Sequence, residues 1–107
     1  MKIYRGARTI DGIEVTVDGN PLDPRYDLAR HTNAGFEWGY EGDAARQLAL
    51  AILADHTGDE ATAMQQSAGF MTQVVLELDN EWELTAEQIA AALNGAGLGG
   101  TGPGETA

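Results

Sequence analysis

The chain has 107 residues, of which 43% are hydrophobic, enough for the core of one domain without metals or disulfides. It has no cysteine, which excludes a disulfide framework, a thiol nucleophile and a zinc–thiolate site. Its formal net charge of −11 disfavours direct contact with a nucleic-acid backbone, since like charges repel. The most apolar run, residues 48–54, is far shorter than the ~20 residues that cross a bilayer, and the N-terminus lacks an apolar signal region. We therefore expect a cytoplasmic protein that does not contact membranes.

The charge is unevenly distributed along the chain. All six basic residues lie within the first 46 positions, beside eight acidic ones, whereas the remaining 61 positions hold nine acidic residues and no basic residue. Such an anionic region either keeps the protein solvated, as in a proteome adapted to high salt, or attracts a basic partner. Composition alone leaves both interpretations open.

The first 24 residues predict an antiparallel ribbon. Residues 2–10 and 13–17 are predicted strands, and in the second of them apolar side chains alternate with polar ones at Ile13, Val15 and Val17. The pair Asp11-Gly12 predicts a type I′ turn between the strands, because that turn requires positive φ angles. A second turn at residues 18–21 leads into an extended, proline-containing segment at a sheet edge.

The middle of the chain predicts a short strand followed by a helical hairpin. Residues 25–34 are predicted to be a connection, and alternating aromatic residues indicate a short strand within residues 35–42. Asp43 is the predicted N-cap of a first helix over residues 44–56, with His56, when charged, favourably placed at its C-terminal end. Gly58 is predicted to end that helix, and Asp59 to cap the next. The second helix has an apolar stripe at Ala61, Met64, Ala68, Met71, Val75 and Leu78.

The last third predicts a turn, a strand and a third helix. Residues 79–81 are a predicted turn and residues 82–84 a short strand. Thr85 and Gln88 have the spacing of a capping box, which opens a helix to about Asn94. Residues 95–107 are rich in glycine and are expected to be disordered. The predicted organisation is thus one domain over residues 1–94 and a tail over residues 95–107.

The predicted fold is a small α+β domain, in which a β-hairpin and one or two further short strands pack against a helical hairpin and a third helix. The predicted core has twelve members: Ile3, Ile13, Val15, Val17, Phe36, Trp38, Leu48, Ile52, Met71, Val75, Trp82 and Ile89.

The sequence holds no convincing catalytic or cofactor constellation. Four carboxylates could take part in acid–base or metal chemistry, Glu37, Glu41, Asp43 and Asp55, but the expected structural roles explain them more simply. His31 and His56 lack metal-ligand spacing, and Ser67 lies in mid-helix without a nucleophile motif. The glycines before the first helix lack the lysine of a phosphate loop and are flanked by acids. We expect no enzyme activity, no cofactor and no metal.

The candidate partner-binding residues are a cluster of acids and two aromatics. The acids, which could meet a basic groove or imitate a phosphate backbone, are Glu77, Asp79, Glu81, Glu83 and Glu87. The aromatics are Trp38 and Tyr40, which either pack in the core or form part of an interface. A solvated turn explains the acids equally well.

The segment GFEWGYEG over residues 35–42, followed by QLALAILAD over residues 47–55, resembles a small family found in haloarchaea, in bacteria and on their phages and plasmids. The resemblance extends over about residues 2–94 and implies no catalytic residues. Its association with mobile elements favours a role in host interaction. The function predicted is therefore that of a non-enzymatic acidic protein-binding domain, encoded by a phage or plasmid, that inhibits a nucleic-acid-handling or defence complex in the manner of an anti-CRISPR protein. The alternatives are an accessory domain whose acidity reflects its proteome, or a small-molecule binder or hydrolase without a recognisable motif.

Overall fold

A computed structural model describes residues 2–32 and 35–95 of the chain. The elements follow in the order β1 (Ile3–Thr9), β2 (Gly12–Val17), β3 (Asn20–Pro21), α1 (Asp43–Thr57), α2 (Glu60–Gln73), a short 3₁₀ helix (Val75–Glu77), β4 (Glu81–Thr85) and α3 (Ala86–Gly95). The four strands form one antiparallel sheet in the order β3-β2-β1-β4. The predicted α+β class is confirmed. The predicted tail lies outside the described residues, except for Gly95, which ends α3.

The turns of the ribbon differ in type from those predicted. Thr9 pairs with Gly12, so the β1–β2 connection is Ile10-Asp11, and neither of these residues has a positive φ. The type I′ turn lies instead between β2 and β3, where Asp18 and Gly19 have φ angles of 51° and 85°. Asp18 is among the residue types that adopt positive φ most readily. Its carboxylate also accepts a hydrogen bond from the backbone N–H of Ile3 at 2.9 Å, which joins this turn to the start of β1.

Helix α1 is the centre of the core. Its side chains are buried almost all round, from Ala45 and then from Gln47 to Ala54, because the sheet, α2 and the connection before α1 cover different sides of it. The predicted N-cap is wrong: Gly42 occupies that position, no side chain caps the helix, and Asp43 is its first residue. At the other end, Gly58 ends the helix as predicted: it adopts the left-handed conformation, and its N–H donates to the Ala54 carbonyl.

Helix α2 begins after the predicted cap, Asp59, but the face that it buries differs from the predicted one. The Asp59 carboxylate accepts hydrogen bonds from the N–H groups of Ala61 and Thr62. The predicted apolar stripe is wrong in its first half, since Ala61, Met64 and Ala68 are exposed, whereas Met71 and Val75 are buried as predicted. The buried face of α2 is formed by Ala63, Ser67, Phe70 and Met71.

Helix α2 also ends earlier than the stripe predicted, at Gln73. Two β-branched residues, Val74 and Val75, follow there and disfavour continuation of the helix. The Val75 carbonyl accepts a hydrogen bond from the Gly39 N–H at 3.1 Å, so it bonds to the segment that precedes α1. Further along, the capping box that opens α3 is confirmed in both directions, by Thr85 N–H to Gln88 Oε1 and by Gln88 N–H to Thr85 Oγ1.

The predicted strand at residues 35–42 is absent. Positive φ angles at Gly35 and Gly39 interrupt the extended run. The peptide groups between them bond to helices, since Glu37 donates to the Ala44 carbonyl and Gly39 to that of Val75. This segment is therefore a strap over the core and not a fifth strand.

The core differs from the prediction at its edges. Ile13 is 38% exposed. It pairs with Arg8, whereas the pairing of β1 with β4 ends one residue earlier, at Ala7–Glu81, so Ile13 lies beyond the end of β4. Ile3, Val17 and Phe36 are only partly buried. The prediction omitted several fully buried side chains, among them Tyr4, Phe70, Leu50, Leu53 and the polar Gln47.

Candidate functional site: the outer face of the sheet

The sheet has one covered and one open face. On the covered face, Tyr4, Val15, Trp82 and Leu84 join the core. Because side chains alternate along a strand, the residues between them point to the open face. We call this open face the outer sheet face, and the strand register arranges it in rows.

Two rows across the strands define the outer sheet face. One is Glu14–Ala7–Glu81 and the next is Thr16–Arg5–Glu83. Neighbouring strands lie about 4.8 Å apart, so the backbones of Glu14 and Glu81 are separated by roughly 10 Å across Ala7. The fold thus places three glutamates from opposite parts of the sequence around one small residue.

A shallow depression of about 480 Å³ occupies the same face. Its floor is the strand backbone at Gly6 and Ala7, and its rim carries the long side chains of Arg5, Glu14, Glu81 and Glu83. Arg5 Nη2 and Glu83 Oε2 are 3.5 Å apart, and both side chains are more than half exposed. An exposed ion pair this long contributes little, so Glu83 can exchange Arg5 for another cation.

The predicted acidic cluster is divided by the structure. Glu81 and Glu83 lie on the outer sheet face, whereas Glu77 and Asp79 belong to the connection between α2 and β4, and Glu87 to the first turn of α3. All five are exposed. Sequence analysis missed Glu14, which completes the face. The signal was present in β2, where Glu14 alternates with apolar residues, but only the register shows that it faces Glu81.

The two candidate aromatic residues have different environments. Trp38 is 0% exposed, packs edge-to-face on Trp82 with ring centroids 5.6 Å apart, and donates from Nε1 to the Asp79 carbonyl at 2.6 Å. Direct contact of the Trp38 ring with a partner is therefore ruled out in this conformation, and the core interpretation holds. Tyr40, two residues further on, is 57% exposed and remains accessible to a partner.

Arg8 ties the strap to the sheet. Its guanidinium donates to Glu37 Oε1 at 2.7 Å, to Asn80 Oδ1 at 2.7 Å and to the Trp38 carbonyl at 2.8 Å. It also lies 4.7 Å from the centroid of the Trp38 ring, within cation–π distance. The ion pair gives Glu37 a structural role between the sheet and the strap.

Gln47 ties down the connection before α1. This fully buried amide donates from Nε2 to the carbonyls of Pro24 and Ala29, and its Oε1 accepts from the His31 N–H at 2.7 Å. Because a buried amide without partners costs free energy, these three bonds hold residues 24–31 on the helix. These hydrogen bonds explain why a glutamine stands at the start of the QLALAILAD segment.

Two of the remaining candidates for chemistry, Asp55 and Ser67, are also engaged in structural contacts. Asp55 Oδ2 accepts from the buried Tyr4 hydroxyl at 2.6 Å and from Lys2 Nζ at 3.0 Å, and burial together with Asp55 raises the pKa of Tyr4 well above its ordinary value. The Ser67 hydroxyl accepts from Arg46 Nε at 2.9 Å. Among residues 2–32 and 35–95, no three His, Asp or Glu side chains are grouped to hold a metal ion.

The two histidines predict a loss of stability in mild acid. Burial is the main cause that lowers the pKa of both His31 and His56 below the ordinary 6.5. The positive charge of Arg46 lowers the pKa of His31 further, and Asp43 opposes it. Lys2 and Asp55 have the same two effects on His56. The favourable charged His56 expected at the helix end is thus not supported. Below 6.5 the unfolded chain binds these protons more readily than the folded domain, so stability falls as the pH drops.

We expect a lower melting temperature at about pH 5 than at about pH 7.5. In the double variant His31→Asn/His56→Gln, this decrease should be reduced. Calorimetry of both proteins across the range is the measurement. An unchanged decrease in the double variant would assign the acid sensitivity to other groups.

These observations define the class of the protein: a small α+β domain with an open, acidic sheet face. The chain belongs to DUF6166, a family of unknown function, whose family model matches residues 4–95. The match extends from β1 to the end of α3. No curated protein and no solved structure matches the chain. Within the described part of the chain, no helix has both the length and the apolar composition needed to cross a bilayer.

Proposed function

We propose that this domain is a non-enzymatic binding module whose outer sheet face docks on a basic protein surface. The observation that carries the proposal is the convergence of Glu14, Glu81 and Glu83 around a depression that no other element among residues 2–32 and 35–95 covers. The side chains on its rim are exposed, so a partner can reach them directly. Arg5 is the single basic residue on the rim, and its ion pair with Glu83 is weak.

Charged residues elsewhere in the chain add to the negative electrostatic potential around the outer sheet face. Lys2, Arg8 and Arg25 are engaged with carboxylates of the same chain, at 2.7–3.0 Å. The exposed acids beside the outer sheet face, Glu77, Asp79 and Glu87, carry no ion pair within the described ranges. A field of one sign steers a partner of the opposite sign and raises its association rate, more so at low salt.

The partner class follows from the charge. Proteins that handle nucleic acids carry the extended basic grooves that such a face would meet. With the mobile-element association of the resembling family, this supports a cytoplasmic inhibitor of a host defence or other nucleic-acid-handling complex, in the manner of an anti-CRISPR protein. Tyr40 is the exposed aromatic that would add apolar contact.

The proposal is tested with two triple variants that change the net charge equally. One reverses the outer sheet face, Glu14→Lys/Glu81→Lys/Glu83→Lys, and its matched control reverses the flanking acids, Glu77→Lys/Asp79→Lys/Glu87→Lys. All six side chains are exposed, so both variants should fold. Affinity capture from the native host with the wild type identifies the partner, and surface plasmon resonance then measures its binding at two salt concentrations.

We expect wild-type association to slow with salt, and the face variant to associate about tenfold or more slowly at low salt. The control should lose association rate without the faster dissociation that is expected of the face variant. Equal kinetics for all three proteins, insensitive to salt, would contradict the proposal. Acidity would then serve solvation alone, as in the accessory-domain alternative.

A further inference from the structure

The two edges of the sheet differ in what they offer to another strand. The strand order leaves β3 at one edge and β4 at the other. β3 has only two residues. The Leu22 N–H donates to the Val15 carbonyl, so Pro21, one residue earlier, faces outward and offers no N–H. Shortness and proline are two of the ways in which proteins protect a sheet edge. β4 has neither, since it is five residues long and contains no proline.

Two hydrogen bonds show which backbone groups of β4 face β1. At one end of the strand, the Arg8 N–H donates to the Asn80 carbonyl, and at the other end the Ala86 N–H donates to the Lys2 carbonyl. Along an antiparallel strand, alternate residues bond to the same neighbour. Even-numbered positions from 80 to 86 therefore bond to β1, and the odd-numbered positions between them point to the edge.

Glu81 and Glu83 therefore present their N–H and carbonyl groups at the edge of the sheet. The next odd-numbered residue, Thr85, is engaged, because its N–H donates to Gln88 Oε1. Among the hydrogen bonds within residues 2–32 and 35–95, none involves the backbone N–H or carbonyl of Glu81 or Glu83. Two donors and two acceptors are thus arranged as they would be for a further antiparallel strand. We call this row of groups the β4 edge.

We propose that the β4 edge binds an extended, basic segment of a partner protein as a fifth, antiparallel strand. This mode of docking rests on the proposed function, and it specifies how the partner meets the outer sheet face. A residue of the added strand that bonds to the backbone of Glu81 or Glu83 has its side chain on the outer sheet face, beside the carboxylate. Lysine or arginine at alternate positions suits this arrangement, because opposite charges on paired strands stabilise the pairing.

The charges of the β4 edge favour a basic strand over a second copy of the chain. If two β4 strands paired in antiparallel fashion through these groups, each glutamate would lie opposite another glutamate, and like charges directly opposite destabilise a sheet. A basic strand would instead form ion pairs. The Arg5–Glu83 pair is long and exposed, so it presents little opposition to that exchange.

The first experiment uses short synthetic peptides of alternating lysine and valine with blocked ends. With the lysines on the outer sheet face, only the lysine N–H and carbonyl groups point towards β4. Backbone N-methylation of the lysines therefore prevents the pairing, whereas N-methylation of the valines leaves it intact, and the two peptides have equal charge. By fluorescence anisotropy at low salt, we expect the lysine-methylated peptide to bind about tenfold or more weakly than the valine-methylated one.

Amide hydrogen exchange of the full chain locates the bound strand. Without peptide, the amides of Trp82 and Leu84, which bond to β1, should exchange slowly, and those of Glu81 and Glu83 rapidly. Saturation with the unmethylated peptide should slow exchange at Glu81 and Glu83 about tenfold or more. Unchanged exchange at these two amides would overturn the proposal. Slow exchange before any peptide is added would also overturn it, because the edge would already be occupied by the chain itself or by a second copy.

Glu83→Pro and its matched control, Glu83→Gln, test the edge from the side of the protein. Both remove the same charge, but only proline removes the outward N–H. Proline is tolerated in an edge strand whose N–H faces away from the sheet, so circular dichroism should be unchanged. We expect the unmethylated peptide to bind Glu83→Pro about fivefold or more weakly than Glu83→Gln. Equal affinities of the two variants would contradict the added strand.

The methylated peptides also separate this proposal from docking by charge alone. Suppose that both bind the wild type equally well and that neither binds Glu14→Lys/Glu81→Lys/Glu83→Lys. The outer sheet face would then attract basic segments as proposed, and the added strand would be wrong. Failure of the unmethylated peptide to bind at low salt would likewise overturn the added strand, whereas the proposed function would still be decided by the kinetics of the captured partner.

Discussion

Replacing Trp38 with alanine is expected to destabilise the domain by about 3–5 kcal/mol, the range observed for truncation of a buried large aromatic side chain. The ring is fully buried, meets Trp82 edge-to-face and lies under the Arg8 guanidinium. Its loss would leave a cavity where the strap, the sheet and the turn before β4 meet. A domain of ordinary stability would retain little of its free energy of unfolding. Urea denaturation followed by circular dichroism is the measurement.

Two further variants make this result specific. Trp38→Phe keeps an aromatic ring and loses the 2.6 Å hydrogen bond to the Asp79 carbonyl, so it should cost clearly less than Trp38→Ala. Tyr40→Ala, at the exposed position two residues away, should change stability by no more than about 0.5 kcal/mol. If Trp38→Ala cost less than about 1 kcal/mol, the ring would not be part of the core.

Gly6→Ala is the second substitution with a large expected effect, about 3 kcal/mol or more, at the upper end for overpacking. A Cβ atom on Gly6 would overlap the Trp82 indole at Cε2, Nε1 and Cζ2. The indole has little room to move, because Trp38 packs against it. The glycine is therefore required by close approach of a ring, and not by its own φ angle.

A double-mutant cycle tests this explanation. Trp82→Leu removes the ring atoms that the new methyl would overlap, together with an indole N–H that has no hydrogen-bond partner within the described residues. In that background Gly6→Ala should cost far less than in the wild type, because neighbours in contact are not additive. Equal costs in the two backgrounds would show that the penalty comes from the strand and not from the ring. Thermal melts of the four proteins provide the comparison.

Short-range rules were enough to predict the strands β1, β2 and β4, the Asp59 cap and the capping box of α3. Each of these depends on groups within a few residues of one another, such as Thr85 with Gln88, so no distant partner has to be known. The α+β class followed from the same local patterns.

The strap at residues 35–42 shows where local rules failed. The alternation of Phe36, Trp38 and Tyr40 is a strand pattern, and the segment became a strap because its peptide groups found partners at Ala44 and Val75. Backbone groups must be satisfied somewhere, and the competing partner was about 35 residues away in the case of Gly39 and Val75. The spacing of residues in the sequence does not show which of the competing partners the backbone will bond.

The same distinction applies to the exposed surfaces of α2 and of the sheet. The sequence by itself determined that the second half of the chain is acidic, that residues 61–76 are uncharged and that α2 is a helix with apolar residues at helical spacing. Only the tertiary structure decided that α2 turns Ala63, Ser67 and Phe70 inward, leaving Met64 in solvent. It also decided, through strand register, that Glu14 shares a face with Glu81 and Glu83. Charge and periodicity are properties of the chain, whereas the choice of buried face depends on which partner offers the better packing, and that partner lies elsewhere in the sequence.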